Sequence, residues 1–367
     1  MTDTSSGQIS KIYELESLRG IASLFIVIYH IPSWNPFFHD YNFMKNGYLM
    51  VELFFVLSGY VIYSAYSDRL NSPKQLLRFQ FLRFARLYPV HLLFLTAFVF
   101  IELAKYYAQH KLGISSPNSQ PFRENSITAL IQNIFLIQAI GPTGNAVSFN
   151  GPSWSISVEF YTYLVFGLIV LFAGRFKNII FLSLVMLSLV LIVADSTFGF
   201  YNLIGCFTGF FTGCLTAYLK SKFNRMISPV YLALSSLAVF LFLTYKTEVE
   251  LDPFFYLLAS ALIFTLVSSK SNIINEFLKS KILVWLGTIS YSMYMSHFAI
   301  IWVVSQLVRF GLKRPEVVSN GLSAPQLTIA EAGVAYLIII TSVLFISTLV
   351  YKYLENPLRL KSRKVKF

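Results

Sequence analysis

Two side chains that could move a proton or hold an anion stand at opposite ends of one apolar run. In LRGIASLFIVIYH, residues 18–30, Arg19 and His30 are separated by a stretch whose only polar groups are Ser23 and the Tyr29 hydroxyl. On a helix this spacing is about 20° past three full turns and roughly 16 Å along the axis, so both side chains share one face. An ionisable group within a membrane span costs roughly 2.5–3.5 kcal/mol, so each one needs a partner or a task. The other such groups in apolar surroundings are Glu52 in VELFFVLSGYVI, Glu159 in GPSWSISVEFYTYL and His297 in SYSMYMSHF.

An imidazole held by a carboxylate is a general base suited to a hydroxyl nucleophile. His30, Glu52 and Glu159 fall at similar depth in the outer half of their runs, so they are expected to converge as a catalytic set. On the other side, RFQFLRFARLYPVH puts Arg78, Arg83 and Arg86 just before the third apolar run, with Pro89 near the expected helix start. Arg83 and Arg86 form an R-x-x-R step on one face. With Arg19 emerging at the same side they predict a clamp for phosphates, which guanidinium groups bind in bidentate fashion. His91 reads as a packing residue. The backbone N–H groups near Ser153, Trp154 and Ser155 are candidates to stabilise an oxyanion, and Trp154, Ser155 and His297 are candidates to contact substrate. No HExxH or other paired-ligand motif is present, so no metal is expected. There is no G-x-S-x-G elbow to announce a serine nucleophile.

These groups need a scaffold, and the composition names it. Hydrophobic residues make up 56% of the 367, charged residues only 13%, and 36 are Phe; the mean hydropathy is +0.63. Soluble domains carry about 25% charged residues, so the chain reads as all-α, a polytopic membrane helical bundle. The formal net charge of +12 is read as orientation by the positive-inside bias. Nucleic-acid binding is set aside because no recognition motif accompanies the charge. The leader MTDTSSGQIS has no basic start and no small-residue cleavage site, so no removable signal is expected. Cys206 and Cys214, eight residues apart in one expected helix, are about 12 Å apart and read as packing residues.

Hydrophobic runs long enough to span occur near 18–34, 47–66, 87–107, 153–173, 178–194, 199–219, 229–245, 254–269, 283–308 and 328–353. The run 126–141 is shorter and interrupted by Gln132, Asn133 and Gln138. Leaving it out and starting with the N-terminus inside places most of the 29 lysines and arginines on the cytoplasmic side. The expectation is therefore about ten transmembrane helices with both termini cytoplasmic. Residues 1–367 read as a single membrane domain, with an external connector at about 108–152 and no appended soluble domain. A connector of that length is more often functional than decorative.

At these residues the chain resembles the acyltransferase-3 family of integral membrane acyltransferases. The likeness is carried by Arg19 and His30 at their spacing, ELFFVLSGYVI, Arg83 and Arg86, SWSISVEFYTYL, LGTISYSMYMSHF and YKYLENPLR, in that order along nearly the whole chain. One position departs: the family usually has Asp where Glu52 stands, which keeps the charge and lengthens the reach by one methylene. The resemblance implies O-acyl transfer, usually of acetyl, from cytoplasmic acetyl-CoA or another acyl-CoA. The implied acceptor is a hydroxyl of a cell-surface glycan such as O-antigen or exopolysaccharide, or its lipid-linked precursor. It implies His30 as the base, Arg19, Arg83 and Arg86 as the donor site, and a multi-pass place among the lipids of a bacterial inner membrane. The competing class is a proton-coupled transporter or flippase for a lipid-linked or acidic solute, with the buried His and Glu residues as a proton relay. Neither an inverted repeat nor paired broken helices speak for it.

Overall fold

The computed structural model describes residues 12–319, 322–365 and 367. The leader read as lacking a cleavable signal, and Lys11 and Lys366 of the inner basic set, lie outside them. Among the described residues ten helices reach seventeen residues or more. We number them α1 (Tyr13–His30), α2 (Met50–Tyr66), α3 (Pro73–Leu112), α4 (Trp154–Ala173) and α5 (Lys177–Val193). Then follow α6 (Tyr201–Lys222), α7 (Pro229–Tyr245), α8 (Asp252–Ser268), α9 (Ser290–Leu312) and α10 (Ile329–Val350).

Among the described residues seven helical stretches are long and apolar enough to cross a membrane. In that reckoning α4 and α5 form one stretch, Gly151–Val193, and α7 is a shorter apolar helix. α1 is not among the seven, with Glu14, Glu16 and Arg19 in its eighteen residues. The exterior is greasy: Phe172, Ile179, Val193, Leu337 and Phe345 all face outward, as a lipid-facing surface requires. The run around 126–141 yields only the helix Ile127–Ile134, which rises about 12 Å and is too short to span.

Local chemistry sets the helix ends. Ser72 caps α3 by accepting from the Gln75 N–H, Pro73 supplies the fixed φ of a first turn, and Gly113 closes the other end at φ 68°. α3 therefore begins well before the expected 87, and Arg83, Arg86 and Pro89 lie inside a forty-residue helix. The apolar run marked only its membrane part, because a helix continues for as long as backbone and caps allow. The ninth run is likewise divided, into Lys281–Thr288 and α9. α10 runs on through a π-helical turn, Tyr351–Glu355, into the helix Asn356–Ser362. The wide turn fits Pro357, which offers no N–H to the preceding turn. One feature departs from the all-α expectation: β1 (Glu316–Ser319) and β2 (Leu322–Pro325) form a small antiparallel hairpin in the α9–α10 connector.

Packing inside a bilayer cannot rely on the hydrophobic effect, so close backbone approach matters. α2 and α6 show it. A Cβ at Gly59 would sit 1.8 Å from the Phe210 carbonyl oxygen, and one at Gly213 would sit 2.0 Å from that of Val56. Beside this seam Phe166, Phe181, Phe210 and Phe211 pack as one aromatic block, with Phe181 stacked on Phe166 at 5.7 Å and on Phe211 at 5.0 Å. Cys206 and Cys214 are free and buried in the same core. A second core joins the outer half of α1 to α9 and α10 through Val27, Ile31, Met293, Ile301 and Ile339.

α1 lies against Lys281–Thr288 and α9. A Cβ on Gly20 would fall 2.5 Å from the Gly287 nitrogen. Ser23 Oγ donates to the Ser290 carbonyl at 2.9 Å.

Candidate active site

A cavity opens between α1, α2, α3, α4 and α9. Its wall on α2 runs from Val51 to Ile62. The charged part of the lining is Arg19, Arg83, Arg86 and Glu159, and Ser58, Ser155, Tyr163, Tyr291 and Tyr294 supply hydroxyls.

The three arginines expected to share a site do share one. Among the described residues none of them forms an ion pair. Arg83 Nη2 donates to Tyr66 Oη at 3.4 Å, its guanidinium lies 5.5 Å from the Tyr66 ring centre and 5.7 Å from that of Phe79, and its buried Nε has no partner. Arg86 has Arg19 and Arg83 as positive neighbours, and Glu16, Glu159 and Glu355 as the nearby negative charges. Three guanidiniums line one space, and among the described residues the carboxylates near them form no ion pair with them, an arrangement that can hold an anion.

Glu159 belongs to this end of the site. Tyr163 Oη, one turn along α4, donates to Glu159 Oε1 at 2.5 Å and lies 2.8 Å from Ser58 Oγ. The expected convergence of His30, Glu52 and Glu159 is corrected accordingly. Glu52 pairs with Tyr256 of α8, its Oε2 is buried without a partner, and Asp252 is its charged neighbour. Asp252 in turn forms a buried ion pair with Lys246 at 2.5 Å. Depth along a helix follows from residue count, but the direction a side chain takes depends on how the helix is rotated, and α2 and α4 turn their acids away from His30.

The imidazole has a different partner. His30 Nδ1 lies 3.0 Å from the Ile26 carbonyl oxygen and 3.1 Å from His297 Nε2. The rings are 5.0 Å apart, and Phe298 stands edge-on to both. Among the described residues His30 Nε2 has no partner. His297 is fully buried on α9, and Tyr294, one turn below it, lines the cavity with its ring 5.8 Å away. Neither His30 nor His297 lines the cavity itself; Tyr294 stands between it and His297.

Ser155 also reaches the cavity. Its Oγ is 2.9 Å from Tyr294 Oη, and both hydroxyls reach the Pro152 carbonyl, at 3.1 and 2.9 Å. Trp154 instead packs edge-on to Phe55 and does not line the cavity. The Ser153 and Trp154 N–H groups are spent on the turn before α4, on the carbonyls of Asn150 and of Gly151 and Pro152, so they do not serve an oxyanion. His91 is buried and bonds the Asn133 carbonyl at 2.9 Å, a packing role that ties α3 to the helix Ile127–Ile134. Among the described residues no cluster of three His, Cys, Asp or Glu side chains could hold a metal ion.

Three contributors escape a reading of the sequence: Tyr163, Tyr294 and Glu355. Glu355 is buried in the π-helical turn, accepts from Ser292 Oγ at 2.7 Å and faces Arg86, Arg359 and Arg19. The signal for it was an acid inside YKYLENPLR, for Tyr294 the three-residue repeat with Tyr291 in SYSMYMSHF, and for Tyr163 its place one turn after Glu159 in SWSISVEFYTYL.

Comparison with known proteins identifies the family. The acyltransferase-3 family model, an acyltransferase domain, matches residues 12–352. The peptidoglycan O-acetyltransferase OatA of Listeria monocytogenes is 22% identical over 379 aligned positions, covering 94% of this chain and 55% of the relative. The O-acetyltransferase OatA of Staphylococcus aureus is 26% identical over 382 positions, covering 95% and 57%. The acyltransferase MdmB of Streptomyces mycarofaciens is 31% identical over 171 positions, 44% of this chain and 40% of the relative. The chain thus spans little more than half the length of the two OatA proteins. No solved structure matches it.

Proposed function

Since this chain belongs to the acyltransferase-3 family, we propose that it is a membrane O-acetyltransferase that carries acetyl from cytoplasmic acetyl-CoA to a hydroxyl of a cell-surface glycan or its lipid-linked precursor. The observation that carries the reading is the cavity itself. Arginines without ion-pair partners among the described residues occupy one end, and Tyr294 leads from its wall to His297 and His30. The orphaned Arg83 Nε supports an anionic ligand, because a buried donor left without an acceptor costs about 1–3 kcal/mol.

In this scheme Arg19, Arg83 and Arg86 bind the phosphates of the donor, and the acyl end lies toward the outer half. His30 Nε2 takes the proton of the acceptor hydroxyl as its oxygen bonds to the thioester carbonyl carbon. The carbon–sulfur bond then breaks, and the CoA thiolate leaves with the proton returned by the imidazolium. Ser155 and Tyr294 are hydroxyls on the cavity wall, and either would have to turn from the Pro152 carbonyl to donate to an oxyanion. Ten spans with both termini cytoplasmic, in a cell membrane, is the arrangement that keeps the arginines on the side of the donor. Similarity to a peptidoglycan O-acetyltransferase and to another O-acetyltransferase supports a glycan outside that membrane as acceptor.

The test is mass spectrometry of surface glycans from cells with and without the gene, and from cells carrying His30→Ala at equal protein level. Loss of an acetyl increment in both altered strains is expected. Unchanged glycans in the deletion, together with proton-driven solute uptake that needs no acyl-CoA, would replace the enzyme with a transporter.

A further inference from the structure

The transfer scheme gives His297 nothing to do, yet it makes the shortest side-chain contact of the base. A carbonyl oxygen can only accept, so the Ile26 oxygen 3.0 Å from His30 Nδ1 requires a hydrogen on that nitrogen. His297 Nε2, 3.1 Å from the same atom, must then be the acceptor, since two hydrogens cannot point at each other. The hydrogen of His297 is left on its Nδ1. That atom faces the carbonyls of Met293 and Tyr294 in its own helix, without a full hydrogen bond to either. The tautomer of each ring is thus set by the groups its Nδ1 faces.

We propose that His297 is a positioning residue for His30. By accepting the Nδ1 hydrogen it shares with Ile26, it fixes the His30 tautomer and turns the Nε2 lone pair toward the acceptor. The proposal rests on the reading of His30 as the base given above.

Three further observations support it. His297 is fully buried, so no solvent competes for its Nε2. Phe298 stands edge-on to both rings, at 4.8 and 5.3 Å, and limits their rotation. The pair also occupies a step of the seam between α1 and α9, whose earlier step, Ser23 to Ser290, is held by a hydrogen bond with the same sequence separation of 267. When His30 is protonated, its positive charge is shared with the Nδ1 hydrogen, so the bond to His297 strengthens as the reaction proceeds.

The experiment uses the purified full chain in nanodiscs and acetyl-CoA as probe, reading free CoA thiol, with wild type, His30→Ala, His297→Leu and His297→Gln. His297→Leu is expected to lower kcat about 100-fold while the KM for acetyl-CoA changes less than about twofold. His297→Gln, whose amide oxygen can accept the same hydrogen, is expected to recover kcat to within about tenfold of wild type. Wild-type kcat in His297→Leu, an effect confined to KM, or no rescue by Gln would overturn the proposal. ¹⁵N spectra of histidine-labelled wild type need no variant to fold: a His30 with its hydrogen on Nε2 also overturns it. His30→Ala with wild-type thiol release sinks the base itself, and positioning with it. An inactive His30→Ala beside a fully active His297→Leu removes only the role of His297.

Discussion

Gly20 and Gly287 meet backbone to backbone, and the separation between them is the one that relates Ser23 to Ser290 and His30 to His297. Three in-register steps mean that α1 runs parallel to its neighbour with a fixed stagger. The spacing within α1, three residues and then seven, is that of a left-handed helix seam. A Cβ at Gly287 would stand 2.0 Å from the Glu16 carbonyl oxygen. Gly287→Val is therefore expected to cost about 1–3 kcal/mol or more through overpacking and to reduce turnover by parting the histidines ten residues away. Melting of the purified variant and acetyl-CoA turnover measured on the same sample check both effects.

Arg83→Gln removes a guanidinium whose Nε has no partner among the described residues. A charge-assisted hydrogen bond contributes about 1.5–3 kcal/mol, so the Kd for acetyl-CoA should rise roughly 10- to 100-fold. Dephospho-CoA, which lacks one phosphate, should be less sensitive if this arginine meets that phosphate. Titration calorimetry with the two ligands reads the difference, and equal affinity of the variant and wild type for both would remove Arg83 from the donor site.

Glu159→Gln keeps an oxygen able to accept from Tyr163 while removing a negative charge beside the arginines. Turnover should stay within about threefold of wild type and acetyl-CoA should bind more tightly, because guanidiniums that share less of their charge with the protein attract an anion more strongly. A roughly 100-fold slower turnover with unchanged acetyl-CoA affinity would return Glu159 to a catalytic role.

Lys105 and Glu102 form a buried pair at 2.7 Å near the outer end of α3. Lys105 also donates to Ser119 Oγ, while Glu102 accepts from the Phe122 N–H and from Asn125. Removing one partner leaves the other charge buried, at a cost of about 3–5 kcal/mol. Glu102→Gln should thus make the segment 114–125 a preferred site of limited proteolysis at its start. Adding Lys105→Met should restore part of the resistance.

Glu316 of β1 lies outside the spans. Hydrogen bonds from Ser323 and then Arg309 hold its carboxyl below the ordinary value of 4.5. A carboxylate whose pKa is depressed by folding contributes stability that is present above the unfolded value. That contribution is lost as pH falls through the folded value. The hairpin should be unchanged from neutral pH down to about 5 and loosen below 4.5. Hydrogen exchange across 316–325 at two pH values tests this, and equal protection in acid would deny the carboxylate its structural part.

Much of the site was legible because it depends on quantities a sequence carries. Helical period put Arg19 and His30 on one face, and hydropathy fixed which ends of the helices hold charge. The R-x-x-R step anticipated two arginines in one cavity. What the sequence did not carry was rotation and stagger. Glu52 and His297 both lie on apolar helices, and only the packing of those helices decides which one meets His30. Gly287 looks like any other glycine until its partner 267 residues away is known. Glu355 stood in a tail expected to be basic, and reaches the arginines only because a wide turn before Pro357 rotates it inward.

α3 carries the two arginines in its first half and the Glu102–Lys105 anchor in its second, with Pro89 between them. An unbroken forty-residue rod would transmit any displacement of the outer loops directly to Arg86. Proline has no N–H to give the Ala85 carbonyl, and its ring crowds the preceding turn. The rod is therefore two levers sharing a soft joint. A force on the outer loops would reach Arg83 and Arg86 through that joint and not along an uninterrupted ladder of hydrogen bonds.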